Sequence, residues 1–241
     1  MFLQLVCTET VKYKRTMIPW LVVCGGFFVS FVAFMMVVSD SQINWEVLIA
    51  RELSLANNLA LLFTAVFSGY VFTNEFHNHL SGTIFTYPVS RLKLYLAKNL
   101  VVLLMVVCYY LAFLVLTIFL GVIKMDGLPS TGILLKFIKF IFILSGANFV
   151  LVPVTAFISN IVKSPGTYVL TGMSYFLVYV SFFGSDYSLY VPPCIPDSLT
   201  FNYFVSEYMS KTDINGMIIV SSMTFLFSFI IDAFCYSRRD V

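Results

Sequence analysis

The chain has 241 residues, 60% of them hydrophobic and only 11% charged, with a formal net charge of +2. A soluble domain carries about 25% charged residues, so this sequence has too few polar side chains to cover a water-facing exterior. The small, scattered charge argues against a nucleic-acid surface, and five cysteines without CxxC or metal-ligand spacing argue against a disulfide framework.

The first residues, 1–16, are mildly amphipathic and read as a helix lying on the inner membrane surface. Lys12, Lys14 and Arg15 then introduce an apolar run too long for a signal-peptide core and without an A-x-A site, which reads as a retained anchor. Crossing about 30 Å of hydrocarbon takes about 20 helical residues. Six stretches meet that length, at about 17–38, 53–72, 94–123, 133–158, 167–183 and 214–236. Unpaired backbone amides are too costly in hydrocarbon, and the runs are too long and continuous for barrel strands. The expected fold is therefore all-α: a polytopic membrane protein with six transmembrane helices, a cytoplasmic coupling helix and a partly re-entrant external segment, in a single domain over 1–241.

An even number of spans places both ends on one side, and positive charge marks the cytoplasmic side. With both termini inside, that side receives Lys12, Lys14, Arg15, Arg91, Lys93, Lys98, Lys163, Arg238 and Arg239. Asp40, Glu46, Glu52, Asp126, Asp186, Asp197, Glu207 and Asp213 then fall outside. Two connections exceed a simple turn. In the cytoplasmic one, Phe76, Leu80, Thr83, Ile84 and Tyr87 share one helical face and Pro88 ends the pattern, so 74–88 reads as a short surface helix. The external one, 184–213, is rich in aromatic residues and proline, and its middle is expected to dip into the membrane without crossing it. Cys194 in that segment is expected to be the cysteine most open to a reagent added outside, with Cys7 and Cys235 protected.

Within the cytoplasmic connection, Glu75, Ser81-Gly82-Thr83, Tyr87-Pro88-Val89-Ser90-Arg91 and Leu96-Ala97-Lys98 follow one another in an order that resembles the type-2 ABC exporter permeases. In that family the segment links the second and third spans and docks on the ATPase. Glu75 stands one residue farther from Gly82 here than in the commonest spacing. The resemblance implies that Glu75, Phe76, Leu80, Gly82, Thr83, Tyr87, Pro88 and Arg91 form the ATPase-coupling site. It also implies a cytoplasmic ABC ATPase as partner, a second permease chain completing a homo- or heterodimer, membrane lipid around the spans, and an amphipathic substrate such as a peptide antibiotic, lipid or drug. The run Glu9-x2-Lys12-x-Lys14-Arg15-Thr16 is similar to permeases that protect bacteria from lantibiotics and other antimicrobial peptides, which implies the bacterial cytoplasmic membrane.

The sequence has no G-x4-GK[ST], H-E-x-x-H or G-x-S-x-G, so no catalyst and no cofactor is expected on this chain, and ATP with magnesium belongs to the partner ATPase. The alternatives from the residues alone are a loop helix that merely anchors in lipid, and a non-transporting scaffold or sensor that binds a cytoplasmic partner. His77 and His79 lack the carboxylates or thiols of a metal site. Lys136 and Lys139 read as snorkelling side chains before they read as a guide for an anionic substrate. Asp232 reads as paired with a neighbouring helix or with Arg238 or Arg239. Asn57, Asn58, Asn148, Pro153 and the 166–172 stretch read as helix-packing features rather than a pathway.

Overall fold

A computed structural model describes residues 2–14, 16–37, 44–77, 90–125, 127–162, 164–204 and 214–237. The described residues form α1 (Phe2–Lys14), α2 (Ile18–Val37), α3 (Trp45–His77), α4 (Arg91–Met125), α5 (Thr131–Phe149), α6 (Val152–Val162) and α7 (Pro165–Phe182). Two 3₁₀ turns, Asp186–Tyr190 and Pro192–Cys194, lead into α8 (Ile195–Phe204), and α9 (Ile214–Ser237) follows. The protein is an all-α polytopic membrane protein. Trp45–Asn74, Arg91–Met125, Thr131–Val162 and Ile214–Ser237 are each long and apolar enough to cross a bilayer, while α2 holds a shorter apolar stretch, Trp20–Met36. α7 has 18 residues, beginning on Pro165 where a helix needs no amide donor.

Contacts between helices fix their directions. Gly26 and Ser30 of α2 meet Tyr109 and Thr117 of α4 in increasing order, so these two helices run parallel. Glu52, Asn57 and Val71 of α3 meet Thr117, Tyr110 and Lys98 of α4 in decreasing order, which makes that pair antiparallel. α7 also runs against α3, with Tyr168 at Gly69 and Gly172 at Ala65. Small residues allow these approaches. A Cβ on Gly69 would lie 2.0 Å from the Cβ of Tyr168, and one on Gly26 would lie 2.6 Å from the Tyr109 carbonyl oxygen.

The continuous span expected at 133–158 is two helices. The chain turns at Val150 and Leu151, and Pro153 follows in the first turn of α6. Proline has no amide hydrogen to give the carbonyl four residues back, so the helix restarts there. The two pieces still make one pass.

Three residues assigned to the outside, Glu52, Asp197 and Cys194, are inside the bundle. Glu52 is wholly buried, because the six residues of α3 from Glu46, about one and two-thirds turns, place it on a different face, toward α2 and α4. Its Oε2 accepts from the Thr117 hydroxyl at 2.8 Å, and Thr117 lies 3.0 Å from the Ser30 hydroxyl. Since Thr117 spends its proton on the carboxylate, Ser30 donates to Thr117. Cys194 is likewise buried, with its thiol 3.8 Å from the Tyr179 carbonyl oxygen, whereas Cys7, Cys24, Cys108 and Cys235 are exposed. The segment after α7 folds back onto the helices rather than standing off them. Asn57 of α3 donates to the Pro196 carbonyl oxygen and the Thr200 hydroxyl of this segment, and Tyr179 of α7 donates to Asp197.

Candidate functional site

Residues 78–89 lie outside the described residues, and with them Leu80, Gly82, Thr83, Tyr87, Pro88 and also His79. The backbone of Glu75, Phe76 and His77 continues α3 without a break, and Arg91 opens α4. The structure therefore describes the two helix ends from which the loop departs. Of the sequence-derived coupling residues, Arg91 is the one whose side chain is placed. Its Nη1 donates to the Ser237 carbonyl oxygen at 3.3 Å, which ties the start of α4 to the end of α9.

These ends project. At 1.5 Å per residue the 33 residues of α3 and the 35 of α4 extend about 50 Å, against a hydrocarbon thickness of about 30 Å. The opposite end is marked by the ring of Trp45 over Gly121 and by Lys136, whose Nζ donates to Glu46 Oε1 at 3.0 Å. Lys136 also lies 5.3 and 5.1 Å from the rings of Tyr203 and Phe204, so it ties α3, α5 and α8 together. Lys139 is exposed. Counting about 20 residues inward from that level leaves roughly three turns of α3 and of α4 beyond the hydrocarbon on the loop side.

Those extra turns are braced on two sides. On one, the Val71 carbonyl oxygen accepts from the Tyr13 hydroxyl at 3.3 Å and from Lys98 Nζ at 3.1 Å. Lys98 is wholly buried, lies 5.9 Å above the Phe72 ring and stands 4.0 Å from Glu9 Oε2. Glu9 is buried as well and is also contacted by Lys12. α1 is thus fastened to the base of the loop by a lysine from α4 and a carboxylate of its own. On the other side, the rings of Phe72, Tyr95, Phe229 and Tyr236 stack α3, α4 and α9 together at centroid distances of 5.2–6.4 Å. Beside them Asn160 donates to Asp232 Oδ1 at 2.8 Å. Asp232 is therefore paired with a neighbouring helix.

A second polar chain crosses the bundle farther from the loop. Asn148 donates to the Tyr110 hydroxyl at 2.7 Å, Tyr110 donates to Asn57 Oδ1 at 2.7 Å, and Asn57 donates to the Thr200 hydroxyl at 2.8 Å. Thr200 closes the chain on the Pro196 carbonyl oxygen at 2.9 Å. Tyr179 donates to Asp197 Oδ2 at 2.8 Å from α7. α8 is thereby hydrogen-bonded into the centre of α3, with α4, α5 and α7 as supports. Sequence reasoning read Asn57 and Asn148 as packing residues; they are, but as polar links.

Glu52 and Tyr110 carried no site reading from the sequence, and Glu9 and Lys98 entered only as members of two motifs, with no contact between them expected; the structure brings Glu9 and Lys98 to 4.0 Å. A signal existed for Glu9 and Lys98, because Glu9 and Lys12 are one turn apart and an ionisable lysine near the head of an apolar helix needs a partner. Nothing local marked Glu52, whose burial depends on the register of three helices.

Residues 5–182 match the family described as ABC-2 family transporter protein, a stretch covering more than half of the chain and ending where α7 ends. No curated protein matches the sequence.

Proposed function

This chain belongs to the ABC-2 transporter family, and from that premise we propose that it is the membrane-spanning permease subunit of an ATP-driven exporter that moves an amphipathic substrate out of the cell or the membrane. In this reading a cytoplasmic ABC ATPase docks on the loop at 78–89, and a second permease chain completes the pathway. The observation that carries it is the braced stalk. A subunit without a phosphate-binding motif must receive force from a partner, and a loop can transmit force only if its two ends are rigidly held. Here α3 and α4 carry the loop beyond the hydrocarbon while Lys98, Tyr13, Arg91 and the Tyr95–Tyr236 cluster bind their ends to α1 and α9. α1 and the end of α9 lie on the loop's side, which supports both termini facing the cytoplasm.

Glu75, Phe76, Leu80, Gly82, Thr83, Tyr87, Pro88 and Arg91 are the proposed coupling residues, with the apolar members seated in a groove of the ATPase. Substrate chemistry is proposed from the exposed aromatic and apolar face of α7 and the following turn, including Phe176, Phe183, Tyr187 and Tyr190. An antimicrobial peptide of the lantibiotic type, acting on a bacterial cytoplasmic membrane, suits that face.

The test is Leu80→Asp. An unpaired carboxylate in a desolvated contact costs several kcal/mol, so the variant is expected to reach the membrane normally yet lose its ATPase on purification. A scaffold or lipid-anchored loop gives a different result: the variant retains whatever it binds, or the unmodified protein brings down no ATPase at all.

A further inference from the structure

We propose that the groove between α1, α2 and α4 is a seat for one phospholipid with an anionic headgroup, whose acyl chain lies in the groove and whose phosphate is held by Lys14. The groove encloses about 290 Å³ and is lined on its inner wall by Val22 and Val23 of α2 and by Val101, Leu104, Met105 and Cys108 of α4. α1 closes one end with Thr10, Val11, Tyr13 and Lys14.

Three observations choose this occupant. The first is depth. α4 has about three turns beyond the hydrocarbon on the loop side, so Val101 sits near the boundary and Leu104, Met105 and Cys108 lie one to two turns inside it. The lining is apolar where a chain would lie and basic where a headgroup would lie. The second is charge. Glu9 engages Lys12 and faces Lys98, whereas Lys14 is exposed and has no hydrogen bond or ion pair among the described residues. One cation at the mouth of the groove is thus left to face an anion. The third is access. Leu104 is 45% exposed and Cys108 is exposed, so the groove opens sideways into the bilayer, the direction from which a lipid enters.

The seat would brace the stalk from a third side. A chain wedged between α1 and α4 fills the space beside Tyr13, and Tyr13 is one of the two donors to the Val71 carbonyl. The proposal needs only the membrane placement of the helices, so it stands whether or not the chain docks an ATPase.

Cys108 supplies the probe. In the full chain with Cys7→Ser, Cys24→Ser and Cys235→Ser, Cys108 is the exposed thiol and Cys194 is buried. Modification of Cys108 by N-ethylmaleimide in mild detergent, followed by intact mass, is compared with and without added phosphatidylglycerol or phosphatidylcholine. Phosphatidylglycerol should protect Cys108 at about fivefold lower concentration, the worth of one lysine facing an anionic headgroup. Lys14→Gln should remove that preference, and Leu104→Trp, which fills the groove, should abolish the single phosphatidylglycerol retained in native mass spectra. Equal protection by both lipids, a preference that survives Lys14→Gln, or protection that rises with protein concentration as a second copy covers the groove would each overturn the proposal.

Discussion

Lys98→Met tests whether the brace at the base of the loop is electrostatic. Lys98 and Glu9 have side-chain exposures of 0% and 2%, so removing the lysine leaves a carboxylate buried beside the remaining contact from Lys12. Breaking a buried pair by deleting one partner costs about 3–5 kcal/mol. Lys12 is 41% exposed, and an ion pair of that kind offsets about 1 kcal/mol at most. The net loss should be about 2–4 kcal/mol, or roughly 5–15 °C in the unfolding midpoint of a chain this size. The assay is thermal unfolding in detergent followed by tryptophan fluorescence. The double change Glu9→Gln with Lys98→Met removes the stranded charge and should recover at least half of the loss, while Lys12→Met should cost less than about 1 kcal/mol. A Lys98→Met protein within about 1 kcal/mol of the original, or a double variant no better than the single one, refutes the electrostatic account.

Tyr110→Phe deletes a hydroxyl that both accepts from Asn148 and donates to Asn57, so unfolding in detergent should ease by about 1–3 kcal/mol. Tyr109→Phe loses a single bond to the Ala56 carbonyl and should cost less; equal losses would break the idea of a relay. Gly26→Leu should lower the yield of folded protein because its added atoms meet backbone, whereas Gly25→Ala, which meets the Phe63 ring at 3.0 Å, should be tolerated, and similar yields would argue against a close α2–α4 crossing. Cys194 should resist a membrane-impermeant maleimide until the protein is unfolded, and rapid labelling of the native chain would contradict the folding-back of its segment. The purified chain alone should show no ATP affinity by equilibrium binding, since the sequence holds no phosphate-cradling loop.

Apolar run length made the fold legible, because a helix in hydrocarbon declares itself by composition alone. The expected spans at 17–38, 94–123, 167–183 and 214–236 fall on α2, α4, α7 and α9 within a few residues. Helix surplus was less visible. The expected span at 53–72 sits inside the 33 residues of α3, whose polar ends Glu46, Arg51 and Glu52 suppress the hydropathy while the helix continues. The break at Val150 was foreshadowed by Pro153 but hidden by unbroken apolarity. Burial of Glu52 and Cys194 was not legible, since each depends on which helices pack together rather than on its own neighbours. The proposed coupling site rests on the motif in the loop, whose residues 78–89 lie outside the described residues; the brace beneath it, made by Glu9, Tyr13, Val71 and Lys98, joins residues up to 89 positions apart and needed the fold.

The central claim is that the loop carried by α3 and α4 engages a nucleotide-hydrolysing subunit. A photo-reactive residue placed at Leu80 in the full chain, irradiated in intact cells, tests this most directly. The account predicts one dominant covalent adduct with a cytoplasmic protein that contains a G-x4-GK[ST] loop, and its loss when the stalk is loosened by Lys98→Met. Adducts with lipid alone, or with proteins that hold no nucleotide-binding loop, would contradict it.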